Sequence, residues 1–334
     1  MHSGQRYTFR EMMKWTRSDI YFMLVLSSIP VLLFELAGWT WLALPWVPIA
    51  MIGTATAFIV GFRNTQTYNR TWEARQIYGA IVNTSRSWGM LVRDFIGIEN
   101  TDGIKAIKRT IIQRHIAWLT ALRYQLREQR SWETARTKPS NIRYGKLFSI
   151  AEWDGKLEDQ LRAHLSEEEA VYILSKKNRA THLLGQQSAQ IKQLKTQGLI
   201  DPLDYVEMEK LLVDLYEQQG KCERIKNFPY PRQFATISQM LTRLFVCLVP
   251  FGVLAEFHKL GDWKIWLGIP FSATVGWIFL TLERVGENTE NPFEGGPNDV
   301  PITSISRTIE IDLLEMIDEK DLPGAIAATN QILT

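Results

Sequence analysis

Cysteines and clustered histidines are scarce in this chain of 334 residues, and both absences limit its chemistry. The two cysteines, Cys222 and Cys247, cannot build a disulfide framework, which favours a reducing interior or a bilayer over a secreted scaffold. The five histidines stand alone, without the His-Glu-x-x-His pair of many zinc enzymes. A P-loop, a dinucleotide fingerprint and a nucleophile elbow are also missing. The sequence therefore predicts no catalytic residue, no metal site, no cofactor and no enzymatic activity.

Net charge is small as well, because 38 Lys and Arg residues oppose 36 Asp and Glu residues, a formal net charge of +2. Without a strong overall field, nucleic acid is not an expected partner. Hydrophobic residues make up 46% of the chain, which is too many for a disordered protein. The distinguishing feature of the sequence is where its charges are missing.

The first stretch that lacks charge covers residues 20–62, in which the only charged residue is Glu35. A bilayer requires about 20 apolar residues for each spanning helix, so this stretch is long enough for two. Glycine, proline and tryptophan near its middle indicate a turn. We therefore predict a transmembrane helical hairpin over residues 20–62, with helices over roughly residues 20–36 and 45–62.

The second stretch lies near the other end of the chain. Residues 234–255 carry one charge, Arg243, and residues 265–282 carry none. Buried helices of soluble proteins usually keep a polar stripe, which favours the membrane over a soluble core. We predict a second hairpin over residues 234–282. Glu35 and Arg243 either pair with each other or lie near an interface, and the sequence leaves both alternatives open.

The predicted spans have basic residues at one side of the membrane: Arg6, Arg10, Lys14 and Arg17 before the first, Arg63 and Arg70 after the second, Arg232 before the third and Arg284 after the fourth. The hairpin tips instead carry tryptophans, which belong at the headgroup level: Trp39, Trp41, Trp46, Trp263 and Trp266. By the positive-inside rule, both termini and the middle are cytoplasmic. A multi-pass protein of the cell (inner) membrane is expected.

Outside the spans the sequence predicts amphipathic helices, and its charge changes sign. Residues 63–233, a cytoplasmic helical region, contain 28 basic and 20 acidic residues. Residues 283–334, an acidic cytoplasmic tail, contain 3 basic and 11 acidic residues. Residues 1–19 form a short cytoplasmic N-terminal segment. The opposite charges indicate either two solvated surfaces or a tail that lies along the basic helices, of its own subunit or of a neighbour.

The second predicted span has two regular rows of side chains. Small residues, which allow helices to approach closely, recur every four positions: Gly53, Ala57 and Gly61. The adjoining row consists of Thr54, Phe58 and Phe62. In a ring of such helices the second row could face a shared axis, where apolar rings form a barrier by letting water leave. The alternative is that both phenylalanines contact lipid or pack within the chain.

Five short segments resemble the bestrophin family in its bacterial branch. They are Gly61-Phe62-Arg63-Asn64, Tyr68-Asn69-Arg70-Thr71-Trp72-Glu73-Ala74-Arg75, Asp201-Pro202-Leu203, Tyr230-Pro231 and Glu290-Asn291-Pro292-Phe293. The resemblance covers nearly the whole chain, and residues 61–75 are its most specific part. The motif residues are Arg70, Trp72, Glu73, Asn291, Pro292 and Phe293.

The resemblance implies an all-α membrane protein with four transmembrane helices per subunit and a large cytoplasmic helical bundle, assembled as a homopentamer around a central pore. It places a hydrophobic neck, gated by dewetting, on Thr54, Phe58 and Phe62, and a cytoplasmic constriction on Leu203. It also implies that the acidic tail wraps onto neighbouring subunits. The expected partners are further copies of the chain, the lipid bilayer and permeating monovalent ions.

Three positions depart from the family pattern. Thr54 is polar where an aliphatic residue is usual, and Thr71 replaces the first of two adjacent tryptophans. Residues 294–299 supply few carboxylates, which argues against calcium gating because a calcium site requires roughly six to eight oxygen ligands.

The nature of the permeating ion is a separate question. The two phenylalanines and the basic middle favour anions such as chloride. The alternatives are a monovalent cation (sodium) channel of the same architecture and a non-conducting, membrane-anchored interaction protein.

Overall fold

A computed structural model of the protein describes residues 1–97 and 101–334, and within these residues the chain is almost entirely helical. The helices are α1 (Phe9–Ala37), α2 (Trp46–Phe95), α3 (Asp102–Arg127), α4 (Pro139–Gly145), α5 (Ala151–Asp154), α6 (Leu157–His164), α7 (Glu167–Leu174), α8 (Arg179–Thr196), α9 (Pro202–Asn227), α10 (Arg232–His258), α11 (Gly268–Asn288) and α12 (Ile302–Met316). Short 3-10 turns, Thr40–Leu42 and Asp262–Leu267, form the two hairpin tips. The predicted all-α class is confirmed.

Four helices, α1, α2, α10 and α11, are long and apolar enough to cross a membrane, which agrees with the predicted number of spans. The first hairpin turns at Gly38, whose φ of 69° is a left-handed conformation that glycine adopts without strain. Pro45 then precedes α2, where its fixed φ suits a helix start. Gly38 and Pro45 therefore bound the turn between α1 and α2.

The helix α2 is much longer than the span predicted within it. It continues without a break from Trp46 to Phe95, a length of 50 residues. At 1.5 Å per residue it is about 75 Å long, against about 30 Å for the hydrocarbon core. The loss of apolar composition after Phe62 marks the predicted end of the span but does not end the helix, because no proline follows Pro48 within it.

The helix α1 also starts earlier than the span predicted within it. It begins at Phe9, inside the predicted N-terminal segment, where Thr8 and Glu11 form a capping box. The cap supplies hydrogen-bond partners to the first backbone N–H groups, so helical structure begins before the charge-free stretch does.

Close contact between α2 and α10 depends on two glycines. A Cβ at Gly53 would lie 2.5 Å from the Phe245 ring, and a Cβ at Gly252 would lie 2.8 Å from Ile49. Both distances are too short for real side chains, so only glycine permits this approach. Small residues allow the backbones of membrane helices to pack closely, and here they do so within one chain.

The remaining helices form a bundle around the C-terminal half of α2. Trp88, Trp118 and Leu122 are fully buried there. Two polar contacts cross this core: His115 Nε2 lies 2.9 Å from the Ser85 hydroxyl, and Trp118 Nε1 donates to Gln219 at 2.9 Å. Burial lowers the pKa of His115 to about 3, so the imidazole is a neutral core residue.

The acidic tail begins along the basic helices of its own chain. The apolar side of α12, including Ile309 and Leu313, is buried in the bundle core. Arg86 on α2 pairs with Asp312 at 2.7 Å, and Arg109 on α3 pairs with Glu319 at 2.9 Å. Of the two alternatives for the tail, the structure therefore shows contact with the basic helices.

The two charges inside the predicted spans do not pair with each other. Within the described residues, neither Glu35 nor Arg243 belongs to an ion pair, and both are exposed. Arg243 lies beside a small polar cavity of about 160 Å³ that Asp19 and Arg284 also line. Asp19 and Arg284 form their own ion pair at 2.6 Å.

Candidate functional site

The three residues predicted to line a neck lie on one open face of α2. Phe58 is 76% exposed and Phe62 is 46% exposed, although both are large apolar side chains. Thr54 is exposed on the same face, one turn before Phe58. The opposite face of the helix, with Ile49 and Val60, is buried against other helices of the chain. The face with Thr54, Phe58 and Phe62 is therefore open to lipid or to another subunit.

The hydroxyl of Thr54 already has a partner within the helix. It donates a hydrogen bond to the Ala50 carbonyl at 3.0 Å. Its donor is therefore satisfied locally, and the side chain presents a methyl group and an oxygen lone pair to the open face. The polarity at this position is smaller than a free hydroxyl would give.

The orientation of this face is fixed by Arg63, the residue directly after Phe62. Its guanidinium donates to Glu283 Oε1 at 2.7 Å and to Glu290 Oε2 at 2.9 Å, and the residue is only 4% exposed. Arg232 pairs with the other oxygen of Glu290 at 3.1 Å. These bonds join α2 to the end of α11 and to the start of α10.

Further bonds to the end of α11 follow at one-turn spacing along α2. Asn64 Nδ2 donates to the Leu282 carbonyl at 3.1 Å, and Thr71 Oγ1 donates to the Thr289 carbonyl at 2.8 Å. Thr67 and Thr289 share a hydroxyl contact at 2.9 Å. Residues 63, 67 and 71 lie on one face of a helix, about 100° or more away from Phe58 and Phe62. Anchoring that face leaves Phe58 open, whereas the Phe62 ring also lies beside Phe234 at the start of α10, with the two centroids 6.5 Å apart.

The motif residues after the span hold separate elements together. Arg70 donates to the carbonyls of Ile225 and Phe228 and so caps the end of α9, where helices leave carbonyls without partners. Glu73, about one turn after Arg70 on α2, pairs with Arg224 of α9. Trp72 stays largely exposed. These contacts attach the C-terminal end of α9 to α2.

The second motif, after α11, is buried. The Phe293 ring packs against Tyr78 with their centroids 5.8 Å apart, and Arg127 donates to the Phe293 carbonyl at 3.1 Å. Asn291 is also buried, and the backbone at Pro292 accepts the Val300 N–H at 3.1 Å. The segment is therefore a buried joint between α11, α2 and α3.

Leu203 lies at the N-terminal end of α9, opposite the end that Arg70 and Glu73 contact. It is 78% exposed and follows Pro202 in the first turn, where the Asp201 side chain accepts its N–H at 2.9 Å. The 26 residues of α9 correspond to about 39 Å. The structure thus separates Leu203 from the phenylalanine face, and the two are not part of one local cluster.

The row of small residues does not share one environment. Gly53 packs against Phe245, as described above, but Ala57 is exposed and a Cβ at Gly61 would have nothing within 4 Å.

In the part of the chain that the structure describes, no three His, Cys, Asp or Glu side chains are arranged to hold a metal ion.

Sequence reasoning missed the role of Arg63. The sequence shows Arg63 in a segment that resembles the family, directly after a predicted span, but indicates no partner for it. The available signal was the pair of opposite charges, Arg63 and Glu283, directly after the second and fourth predicted spans. Ends of neighbouring spans on the same side of a membrane lie at one depth, which makes such a pair possible.

Comparison with known proteins gives a consistent result. The family described as "Bacterial/Fungal Bestrophin protein" matches residues 11–315. The voltage-dependent anion channel-forming protein YneE of Escherichia coli (strain K12) is 27% identical over 304 residues, which cover 90% of this chain and 86% of YneE. The like-named RSc3414 of Ralstonia nicotianae is 27% identical over 286 residues, 86% of this chain and 82% of the relative.

Solved structures match as well. A bacterial bestrophin homologue from Klebsiella pneumoniae superposes with a TM-score of 0.74 at 24% sequence identity, over 91% of this chain and 99% of the homologue. At this identity the match establishes the fold.

Replacing Arg63 tests the proposed anchor. We expect Arg63→Gln to lower the free energy of unfolding by about 3–5 kcal/mol, because it leaves the buried Glu283 without a cation and Glu290 with Arg232 alone. The matched control is Arg86→Gln, which breaks an exposed pair and should cost less than about 1 kcal/mol. Thermal unfolding in detergent measures both, and equal melting temperatures for the two variants would contradict the anchoring role.

Proposed function

Because the chain belongs to the bacterial and fungal bestrophin family, we propose that it is a pentameric channel that conducts small monovalent anions, chloride among them. Family membership also agrees with the expectation that the protein is not an enzyme. The proposal includes an inner-membrane location with both termini cytoplasmic. In it, Thr54, Phe58 and Phe62 of each copy form a narrow neck, and Leu203 forms a second constriction.

The observation that carries the proposal is the open phenylalanine face of α2. Phe58 and Phe62 project from a helix whose opposite face is held by the buried Arg63 network. When several copies of α2 surround an axis, this face is the one left to point inward. Apolar rings around a narrow passage exclude water, and small movements of the helices then open or close the path to ions.

Exposed apolar side chains outside the membrane-spanning length support assembly into an oligomer. Helix α9 exposes Val206, Val213 and Tyr216. Contiguous exposed apolar surface on a soluble part of a protein usually marks an interface. The number five comes from the resemblance to the family.

The second constriction rests on the position of Leu203. Its side chain projects from a turn that Pro202 and the Asp201 cap make rigid, about one α9 length from the end bound by Arg70. In a symmetric assembly each copy contributes one leucine at the same height. A ring of apolar side chains at this height would then form a second barrier to hydrated ions.

The preference for anions is supported by three features. The relatives YneE and RSc3414 are named as anion channel-forming proteins. The edges of phenyl rings carry positive quadrupole density, which favours an anion that passes them. The middle of the chain, residues 63–233, has more basic than acidic residues, so it attracts anions to the cytoplasmic mouth.

Removing the phenyl rings tests the neck. We expect Phe58→Ala with Phe62→Ala to raise anion flux into liposomes at least about tenfold, the effect of lowering a barrier by about 1.4 kcal/mol. The reason is that smaller side chains let water stay in the passage.

The matched control for the neck replaces exposed phenylalanines on other helices. Phe22→Ala with Phe271→Ala changes two residues on α1 and α11, and it should leave the flux close to that of the unmodified protein. Unchanged flux in an assembled neck variant, or an equal rise in the control, would argue against a phenylalanine neck.

Ion selectivity is tested by reversal potentials. With the same chloride salt at a higher concentration on one side of a planar bilayer, we expect the current to reverse near the chloride equilibrium potential. A reversal near the cation equilibrium potential would support a cation channel of the same architecture. Absence of current from correctly assembled protein would support a non-conducting interaction protein.

A further inference from the structure

An aromatic cavity of about 420 Å³ lies apart from the proposed neck and constriction, whose residues do not line it. It is formed by residues around the start of α1, by α2 one to three turns beyond Arg63, by residues 141–153 and by the segment after α11. Its volume falls within the roughly 300–1,000 Å³ typical of small-molecule sites. Four distant parts of the chain thus enclose a space large enough for a ligand.

Aromatic side chains supply much of the wall of this cavity: Tyr7, Trp15, Tyr68, Trp72, Tyr144 and Trp153. The faces of indole and phenol rings carry negative quadrupole density and attract cations. The wall demonstrates this chemistry already, because the Arg136 guanidinium lies 4.9 Å from the centroid of the Trp153 ring. The cavity therefore suits a cation with an apolar body.

One carboxylate in the wall lacks a cationic partner. Glu294 is 4% exposed, and its Oε2 accepts the backbone N–H groups of Thr134 and Ala135 at 2.8 and 3.2 Å. Its Oε1 makes no hydrogen bond to the residues that the structure describes, and the side chain lines the cavity. A buried carboxylate in this position calls for a positive group on the cavity side.

The charges around Glu294 do not supply that group. Glu133 pairs with Lys226, and Asp299 lies 3.9 Å from Arg127. The N-terminal ammonium of Met1 also lines the cavity, where it interacts with Asp299 and donates to the Leu333 carbonyl. Each of these cations therefore has another partner already, and none of them pairs with Glu294. Burial, followed by the nearby Asp299 and Glu133 carboxylates, raises the pKa of Glu294 to about 8.

The same features favour an organic cation over a metal ion. Within the described residues no three carboxylate, imidazole or thiol groups converge as a ligand set. A second carboxylate, Glu11, lines the cavity and already serves as a helix cap through its bond to the Thr8 N–H at 2.7 Å. The one lining guanidinium, Arg75, is exposed.

We propose that this cavity binds a small organic ammonium compound, with the ammonium group donating to Glu294 and the apolar body against the tryptophan and tyrosine wall. Free amines and the amine headgroups of lipids share this chemistry. The inference concerns binding alone and does not depend on ion conduction.

The test is calorimetric titration of the purified full-length protein in detergent with phenethylammonium and, as a neutral counterpart of similar shape, phenethyl alcohol. We expect saturable binding of the amine and binding of the alcohol at least about tenfold weaker, because a hydrogen bond to a charged group is lost. Equal affinities, or no saturable binding of the amine, would overturn the proposal. This comparison uses the unmodified protein and does not depend on the folding of a variant.

A variant then locates the site. Glu294→Gln should weaken amine binding about tenfold or more, whereas Glu128→Gln, at an exposed carboxylate outside the cavity, should leave it unchanged. Unchanged affinity in a folded Glu294→Gln protein would place the amine elsewhere and overturn the assignment.

The natural source is distinguished in nanodiscs. Amine binding that is lost when phosphatidylethanolamine is added to phosphatidylglycerol supports a lipid headgroup as the ligand. Binding that persists in both supports a soluble amine.

Discussion

The structure depends on one buried ion network at the end of the membrane-spanning part of α2. Arg63 reaches two carboxylates, Glu283 and Glu290, that lie far away in the sequence and belong to the last span and the segment after it. A guanidinium with its fixed fork of donors is suited to such paired contacts. Removing one partner would leave a buried charge alone, so the network stabilises the observed rotation of α2 about its axis. That rotation decides which side chains of α2 remain open.

A single continuous helix then carries this orientation from the membrane into the bundle. The open face with Phe58 and Phe62 and the contacts of Arg70 with the end of α9 belong to the same rigid element. Since α9 in turn presents Leu203 at its other end, the positions of both proposed constrictions are set by contacts made within one subunit. A movement at the contact between α2 and α9 would therefore alter both proposed constrictions.

Much of this arrangement can be read from the sequence because it follows from local composition. The missing charges over residues 20–62 and 234–282 predict four membrane helices, and the four-residue spacing of Phe58 and Phe62 predicts a shared face. The length of α2 could not be predicted, since the loss of apolar residues after Phe62 reports the membrane and not the helix. The environments of Gly53 and Gly61 differ only because Phe245 packs on one of them. The cavity at Glu294 combines four distant segments, none with a signal of its own.

The central claim, that Phe58 faces the ion path, is tested most directly by the accessibility of position 58 to a water-soluble reagent. In a protein with Cys247→Ser, which removes the exposed native thiol, Phe58→Cys would be treated with a charged, water-soluble thiol reagent during flux measurements. The account predicts that the reagent changes the flux through Phe58→Cys and has no effect on Phe22→Cys, on the exposed side of α1. Reaction at position 58 with membrane-soluble reagents alone, and no change in flux, would show that the ring faces lipid and would contradict it.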